Sequence, residues 1–132
     1  MKIARVDLYT KSFRLKAPSA VAYATVEDAP HVFVRLLTES GLEGWGCCAP
    51  DPVVTGETVE AIHDFLDRKG RDLLIQRDAR RIHALDSHLA RHGPEFPGAR
   101  AAVNIALYDL LGKRCGRPVY ELLGFYRQCM AT

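Results

Sequence analysis

Three sets of side chains in this chain are of the types that do chemistry: the adjacent pair Cys47-Cys48, the histidines His83, His88 and His92, and Asp109 within an apolar stretch. A zinc site needs its cysteines or histidines in spaced pairs, and Cys47-Cys48 with Cys115 and Cys129 far away does not supply them. Adjacent cysteines can close a strained vicinal disulfide, but in a reducing compartment they serve as small apolar fillers. His88 and His92 share a helical face, whereas His83 sits well round from them and no carboxylate completes a set. They read as surface histidines, and the isolated His31 and His63 carry no signal. Asp109 reads as the partner of a backbone amide or a nearby Arg. Gly44-x-Gly46 has no third glycine until Gly56 and no βαβ unit around it, so it is not a dinucleotide fingerprint. The stretch from Gly44 to Thr58 is more informative. Pro50 and Pro52 stiffen a loop between a strand and a helix, which can hold small apolar side chains over a ligand at low entropic cost. It contains no paired carboxylates, no spaced metal ligands and no nucleophile beside a base. It reads as a lid.

The elements that would position such a lid follow from periodicity. Residues Lys2 to Leu15 read as a long strand, a loop runs from Lys16 to Pro30, and His31 to Thr38 is a second strand. Glu39-Ser40-Gly41 turns the chain into a third strand from Leu42 to Gly46, with Gly41 available for positive φ. Helices follow. Thr55 is the expected cap of the first, with Val59, Ile62, Phe65 and Leu66 on one face and Gly70 as its end. Asp78 is the expected cap of the second, which carries Ile82, Leu85 and Leu89 and stops at Gly93-Pro94. A third helix from Pro97 to Gly112 is apolar on most of its circumference and should be the central buried one. Gly116-Arg117-Pro118 opens a last short helix closed by Gly124. Trp45, Tyr108 and Tyr120 read as packing aromatics, Trp45 between sheet and helices. Strands first and helices after give an α+β fold: a three-stranded antiparallel meander sheet followed by a bundle of three to four helices.

Bulk properties exclude several classes of function. The length of 132 residues suits one domain, and 18 basic against 16 acidic residues is too even for nucleic-acid or membrane-surface binding. No window approaches the run of about twenty apolar residues that a membrane span needs, and the alternating N-terminus is unlike a signal peptide. A cytoplasmic location is the expectation.

With these elements in place, the chain resembles the N-terminal capping domain of the enolase superfamily, in its mandelate racemase/muconate-lactonizing branch. Four stretches carry the likeness: Met1-Lys2-Ile3; Val32-Phe33-Val34-Arg35 with Gly41-Leu42-Glu43-Gly44-Trp45-Gly46; Ala101 through Leu110; and Gly116 through Gly124. Within the branch, Ala49 through Thr58 looks most like the dipeptide epimerases. The resemblance implies a cap over residues 1–124, with 125–132 beginning a linker into an (α/β)8 barrel that this chain lacks. It implies an isomerase that abstracts a proton α to a carboxylate, with base and Mg²⁺ on the barrel and no catalytic or metal residue here. Caps of N-acylamino acid racemases, o-succinylbenzoate synthases and muconate cycloisomerases are alternatives, as is a stand-alone non-catalytic binding or assembly module. Implied partners are the C-terminal barrel, a small carboxylate substrate such as a dipeptide, and further copies in a homo-oligomer.

In the family, two cap loops close over the barrel mouth and contact the substrate side chain. They match Pro18–Thr25 and Cys47–Val54, which makes Ser19, Tyr23, Ala24, Asp51, Val53 and Val54 the candidates for facing the ligand. Three departures stand out. Cys47 occupies a position that normally holds Glu, Phe125 replaces a second glycine after Gly124, and the first loop has no Arg or Lys between Pro18 and Thr25. The last departure predicts a neutral or apolar substrate side chain beneath it.

Overall fold

The computed structural model describes residues 1–21 and 23–124; the expected linker at 125–132 lies outside them. Three antiparallel strands, β1 (Ile3–Val21), β2 (Ala24–Thr38) and β3 (Glu43–Cys48), lie in sequence order. Alternation along β2 decides the sheet's orientation. Val32, Val34, Leu36 and Thr38 are buried, while Phe33, Arg35 and Leu37 between them face the other way and are half-buried. The register sets Val6, Leu36 and Gly44 side by side on the inner face, and Asp7, Arg35 and Trp45 on the outer one. Gly41 turns β2 into β3 with φ +83°.

The segment 16–30 is not the expected loop. β1 and β2 continue past the core as a two-stranded ribbon to Val21 and Ala24, with a register break between the pairs Arg14–Asp28 and Ser19–Val26. Pro18, which cannot donate to a ladder, lies in that break. Ladder bonds between two backbones need no buried side chains, so the ribbon runs on where apolar alternation has ended.

The helices pack on the inner face. α1 (Val59–Phe65) is capped by Thr58, whose hydroxyl accepts from Ala61 N at 3.1 Å. The expected cap Thr55 instead donates its hydroxyl to the Asp51 carbonyl at 3.1 Å. Gly70 does not end the helix: a π-helical turn, Leu66–Gly70, runs into α2 (Arg71–Leu74). Gly70 keeps right-handed helical angles, and Leu66 Cδ2 lies 3.0 Å from where a Cβ would sit. α3 (Ile82–His92) starts after Arg81, four residues beyond the expected cap Asp78. Asp78 is occupied by Arg80, accepting from its backbone N at 3.1 Å and its guanidinium at 2.6–3.0 Å. That pairing holds the Asp78 carboxyl far below the usual carboxylate range.

α4 (Pro97–Cys115) opens on a proline that forfeits no intrahelical bond and closes at Gly116 in the left-handed region, φ +61°. α5 (Val119–Leu122) follows. Only part of α4 is covered. Ala102, Val103, Ala106, Leu107 and Leu110 are buried, whereas Ala101 and Ile105 are exposed, because sheet and α3 approach from one side. Gly44 and Gly46 make this contact possible. A Cβ on Gly44 would stand 2.5 Å from Leu110 Cγ, and one on Gly46 2.7 Å from Ala106 N, so α4 lies directly on the β3 backbone. Asp109 ties the same edge, accepting from Trp45 N at 2.8 Å and from Lys113 at 2.7 Å. This is the backbone amide expected from sequence, with Lys in place of Arg. Trp45 itself lies on the outer face, stacked on Tyr9 with Arg35 over its ring, and not between sheet and helices. Tyr120 is likewise mostly exposed rather than in the core.

Candidate functional site

The far end of the ribbon and the loop after β3 meet. Tyr23, in the turn between β1 and β2, donates its hydroxyl to Asp51 Oδ2 across 28 positions of sequence. Asp51 is itself fixed by the loop. Its Oδ1 accepts from Val53 N at 2.9 Å and Val54 N at 3.2 Å, and its carbonyl accepts from Thr55 N at 2.8 Å. A short acidic side chain bonding amides two and three residues on is a stable local turn, and the flanking prolines restrict the alternatives. The Tyr23 bond holds Asp51 below its ordinary 3.8 and, reciprocally, raises Tyr23 above 10.0. At neutral pH the pair is a phenol donating to a carboxylate.

Of the six residues expected to face a ligand, Tyr23 and Asp51 touch each other. Val53 and Val54, each 68% exposed, stand beside them on the same turn. Ser19 and Ala24 lie on the ribbon flanking Tyr23, Ser19 paired with Val26 and Ala24 with Val21, and both are exposed. Two valines held out in solvent on a rigid loop form a surface suited to covering something.

Sequence reasoning missed Glu57, the residue that anchors this loop. Its carboxylate is 2% exposed and accepts from Gly98 N at 2.9 and 3.0 Å and from Ala99 N at 3.3 Å. These are free donors of the first turn of α4, where backbone dipoles favour a negative charge. A Cβ on Gly98 would come within 2.8 Å of Glu57 Oε2. Pro97-Gly98 at a helix start was the available signal, but nothing in the sequence links it to a residue 41 positions earlier.

The site has little chemistry of its own. Cys48 faces inward, and burial, aided by the charges of Glu57 and Cys47, pushes its thiol up to about 12. A thiol that stays protonated is no nucleophile. Among the described residues no three of His, Cys, Asp and Glu converge as a metal site. His88 and His92 pack edge to face at 4.6 Å, and His92 Nδ1 lies 2.9 Å from the His88 carbonyl. No helix among the described residues is long and apolar enough to cross a membrane.

Comparison with known proteins shows the family. Residues 3–124 match the family described as mandelate racemase/muconate lactonizing enzyme, N-terminal domain. The chain is 40% identical over its full 132 residues to the L-Lys-D/L-Arg epimerase of Methylococcus capsulatus, of which it covers 37%. It is 33% identical over its full length to the hydrophobic dipeptide epimerase of Enterococcus faecalis, again covering 37%. The crystal structure of the Methylococcus capsulatus dipeptide epimerase with Mg and the dipeptide L-Arg-D-Lys superposes with a TM-score of 0.87. That match has 40% identity and covers 94% of this chain and 35% of the other. The chain thus spans little more than a third of the relatives it matches.

Proposed function

The chain belongs to the mandelate racemase/muconate lactonizing enzyme family, as its N-terminal domain, and we propose that it is the substrate-closing cap of a dipeptide epimerase. The proton transfer α to the carboxylate, and the Mg²⁺ that serves it, belong to the larger part of the protein that this chain does not span. The observation that carries the reading is the bond from Tyr23 to Asp51. It joins the two cap segments, so that Val53 and Val54 are presented on one rigid edge. A closed edge of this kind excludes water from the reacting carboxylate and orients the substrate side chain.

The chemistry of the edge limits what fits under it. It offers a phenol, two valines and one carboxylate, with no cation from Ser19 to Thr25. An acidic side chain would meet Asp51 with nothing to pair it, so we infer a neutral or apolar substrate side chain. A cationic one, as in the name of the Methylococcus capsulatus relative, would have to share the Asp51 oxygen that Tyr23 already uses.

Steady-state kinetics of the full-length protein test this with dipeptides carrying apolar, cationic and acidic side chains. We expect the acidic dipeptides to be poorest, and Tyr23→Phe to lower kcat/KM for the others about three- to tenfold, the size of one solvent-accessible hydrogen bond. Efficient turnover of acidic dipeptides would reject the specificity reading. Kinetics unchanged within twofold in both Tyr23→Phe and Asp51→Asn would reject the closing role.

A further inference from the structure

A second concave feature lies away from the ribbon, between α3 and the connection that joins it to α2. It is a cleft of about 370 Å³ whose polar lining is Gln76, Arg77, Asp78, Arg81, His88 and Arg91. Arg81, the residue just before α3, is followed by Leu85, His88 and Arg91 at steps of four, three and three, so the four lie along one side of the helix over about 15 Å. Arg77 enters from the connection between α2 and α3. Among the described residues, none of Arg77, Arg81 and Arg91 has a carboxylate within 4 Å. The one acidic residue in the wall, Asp78, is already bound by Arg80 through its backbone and its guanidinium. Three arginines without a carboxylate partner thus share the cleft, Arg91 alone using one donor locally, its Nε on the Ser87 carbonyl at 3.4 Å.

Two further observations point the same way. Gln76 takes φ +64° and is the one described non-glycine residue in the left-handed region, a conformation that glycine would adopt without strain. Gln76 is among the residues that line the cleft. His88 is held below its ordinary value by partial burial and then by the charges of His92, Arg91 and Arg77. The groups facing His88 from α3 and from the α2–α3 connection are therefore mainly cationic, with Asp78 neutralised. Like charges gathered without partners are unfavourable unless an anion joins them.

We propose that this cleft is a binding site for a small molecule bearing two or more oxyanion groups. Planar guanidinium groups suit phosphate and carboxylate oxygens through paired hydrogen bonds. The spread from Arg81 to Arg91 exceeds one phosphate, which favours a diphosphate or a polycarboxylate over a single anion. This site shares no residue with the Tyr23–Asp51 edge.

Isothermal titration of the full-length protein in metal-free buffer of low ionic strength tests the proposal, with pyrophosphate, citrate and orthophosphate as probes. The expected result is one site per chain, saturating below millimolar pyrophosphate or citrate, with orthophosphate at least tenfold weaker. Preference for pyrophosphate or for citrate identifies phosphate or carboxylate chemistry. Arg81→Ala and Arg91→Ala should each weaken binding at least tenfold, while Arg68→Ala, at an exposed pair with Asp64 elsewhere, should not. Without ligand the thermal midpoints of the Arg81 and Arg91 variants should not fall, because each removes a repulsive charge. The proposal is overturned by absent saturable binding, as an acidic segment of the intact protein seated in the cleft would give. It is equally overturned by binding that survives in the Arg81→Ala/Arg91→Ala double variant, or by midpoints several degrees lower, which would make these arginines structural.

Discussion

Replacing Glu57 by alanine should cost this domain about 3 kcal/mol, and the magnitude follows from what the carboxylate touches. It accepts three contacts from two backbone donors, Gly98 N and Ala99 N, at the first turn of the 19-residue helix α4. Each donor left without a partner costs about 1–3 kcal/mol, and loss of negative charge at the helix start adds about 0.5–1 kcal/mol. Removing a buried carboxylate also returns part of its desolvation cost, which brings the sum down to about 3 kcal/mol. Glu57→Gln keeps one acceptor oxygen but turns an NH2 group toward an N–H, and should cost about 2 kcal/mol. Urea unfolding followed by circular dichroism measures both, with an unchanged slope confirming that compactness is preserved. For a domain of this length about 3 kcal/mol is a melting shift of roughly 10 °C. Amide exchange gives a local reading: Gly98 and Ala99 should exchange about a hundredfold faster in Glu57→Ala. A loss below about 0.5 kcal/mol with unaltered exchange at Gly98 would refute the anchoring role.

Three other outcomes follow from the same geometry. Gly46→Ala should destabilise by about 3 kcal/mol or more, because the new methyl group meets α4 backbone that cannot rotate away; a wild-type melting curve would show that α4 does not lie on β3. Cys48 should resist iodoacetamide at pH 8 in the folded protein, its thiol being pushed up to about 12, whereas exposed Cys115 should be alkylated; peptide mapping by mass spectrometry decides this, and early labelling of Cys48 would contradict it. The Tyr23–Asp51 bond has a defined pH window. Asp51 titrates lower when folded than its ordinary 3.8, so its contribution is present above that value and is lost as pH falls through the depressed one. Tyr23 titrates above 10.0, so the bond also persists into alkaline solution. Absorbance at 295 nm, compared with Tyr23→Phe, should show Tyr23 ionising late, and Asp51→Asn should bring its ionisation to lower pH.

The strand-then-helix order, the alternation of Val32, Val34 and Leu36, the turn at Gly41 and the start of α4 were legible because each is set by neighbours a few residues away; α4 ends at Cys115 and not at the expected Gly112. So was the role of Asp109 as partner to a backbone amide. Local signals failed where a plausible residue lay close to the true one. Thr55 and Thr58 are both acceptable caps by type, and only the placement of Asp51, whose carbonyl takes the Thr55 hydroxyl, selects Thr58. Asp78 was lost as a helix cap for the same reason, because Arg80 reaches it first. The ribbon beyond Leu15 was illegible, since paired backbones hold it and its side chains are largely exposed.

The chain's own pattern of apolar residues, glycines and prolines therefore determined that strands precede helices, where β2 turns into β3, and which faces of β2 and α4 are buried. Tertiary structure alone decided that Tyr23 meets Asp51, that Glu57 holds the start of α4, and that Arg77 joins the arginine face of α3 in one cleft. Those contacts join positions separated by a turn of helix or by tens of residues, and the free energy that selects them exists only once the backbones are packed. No local spacing encodes it.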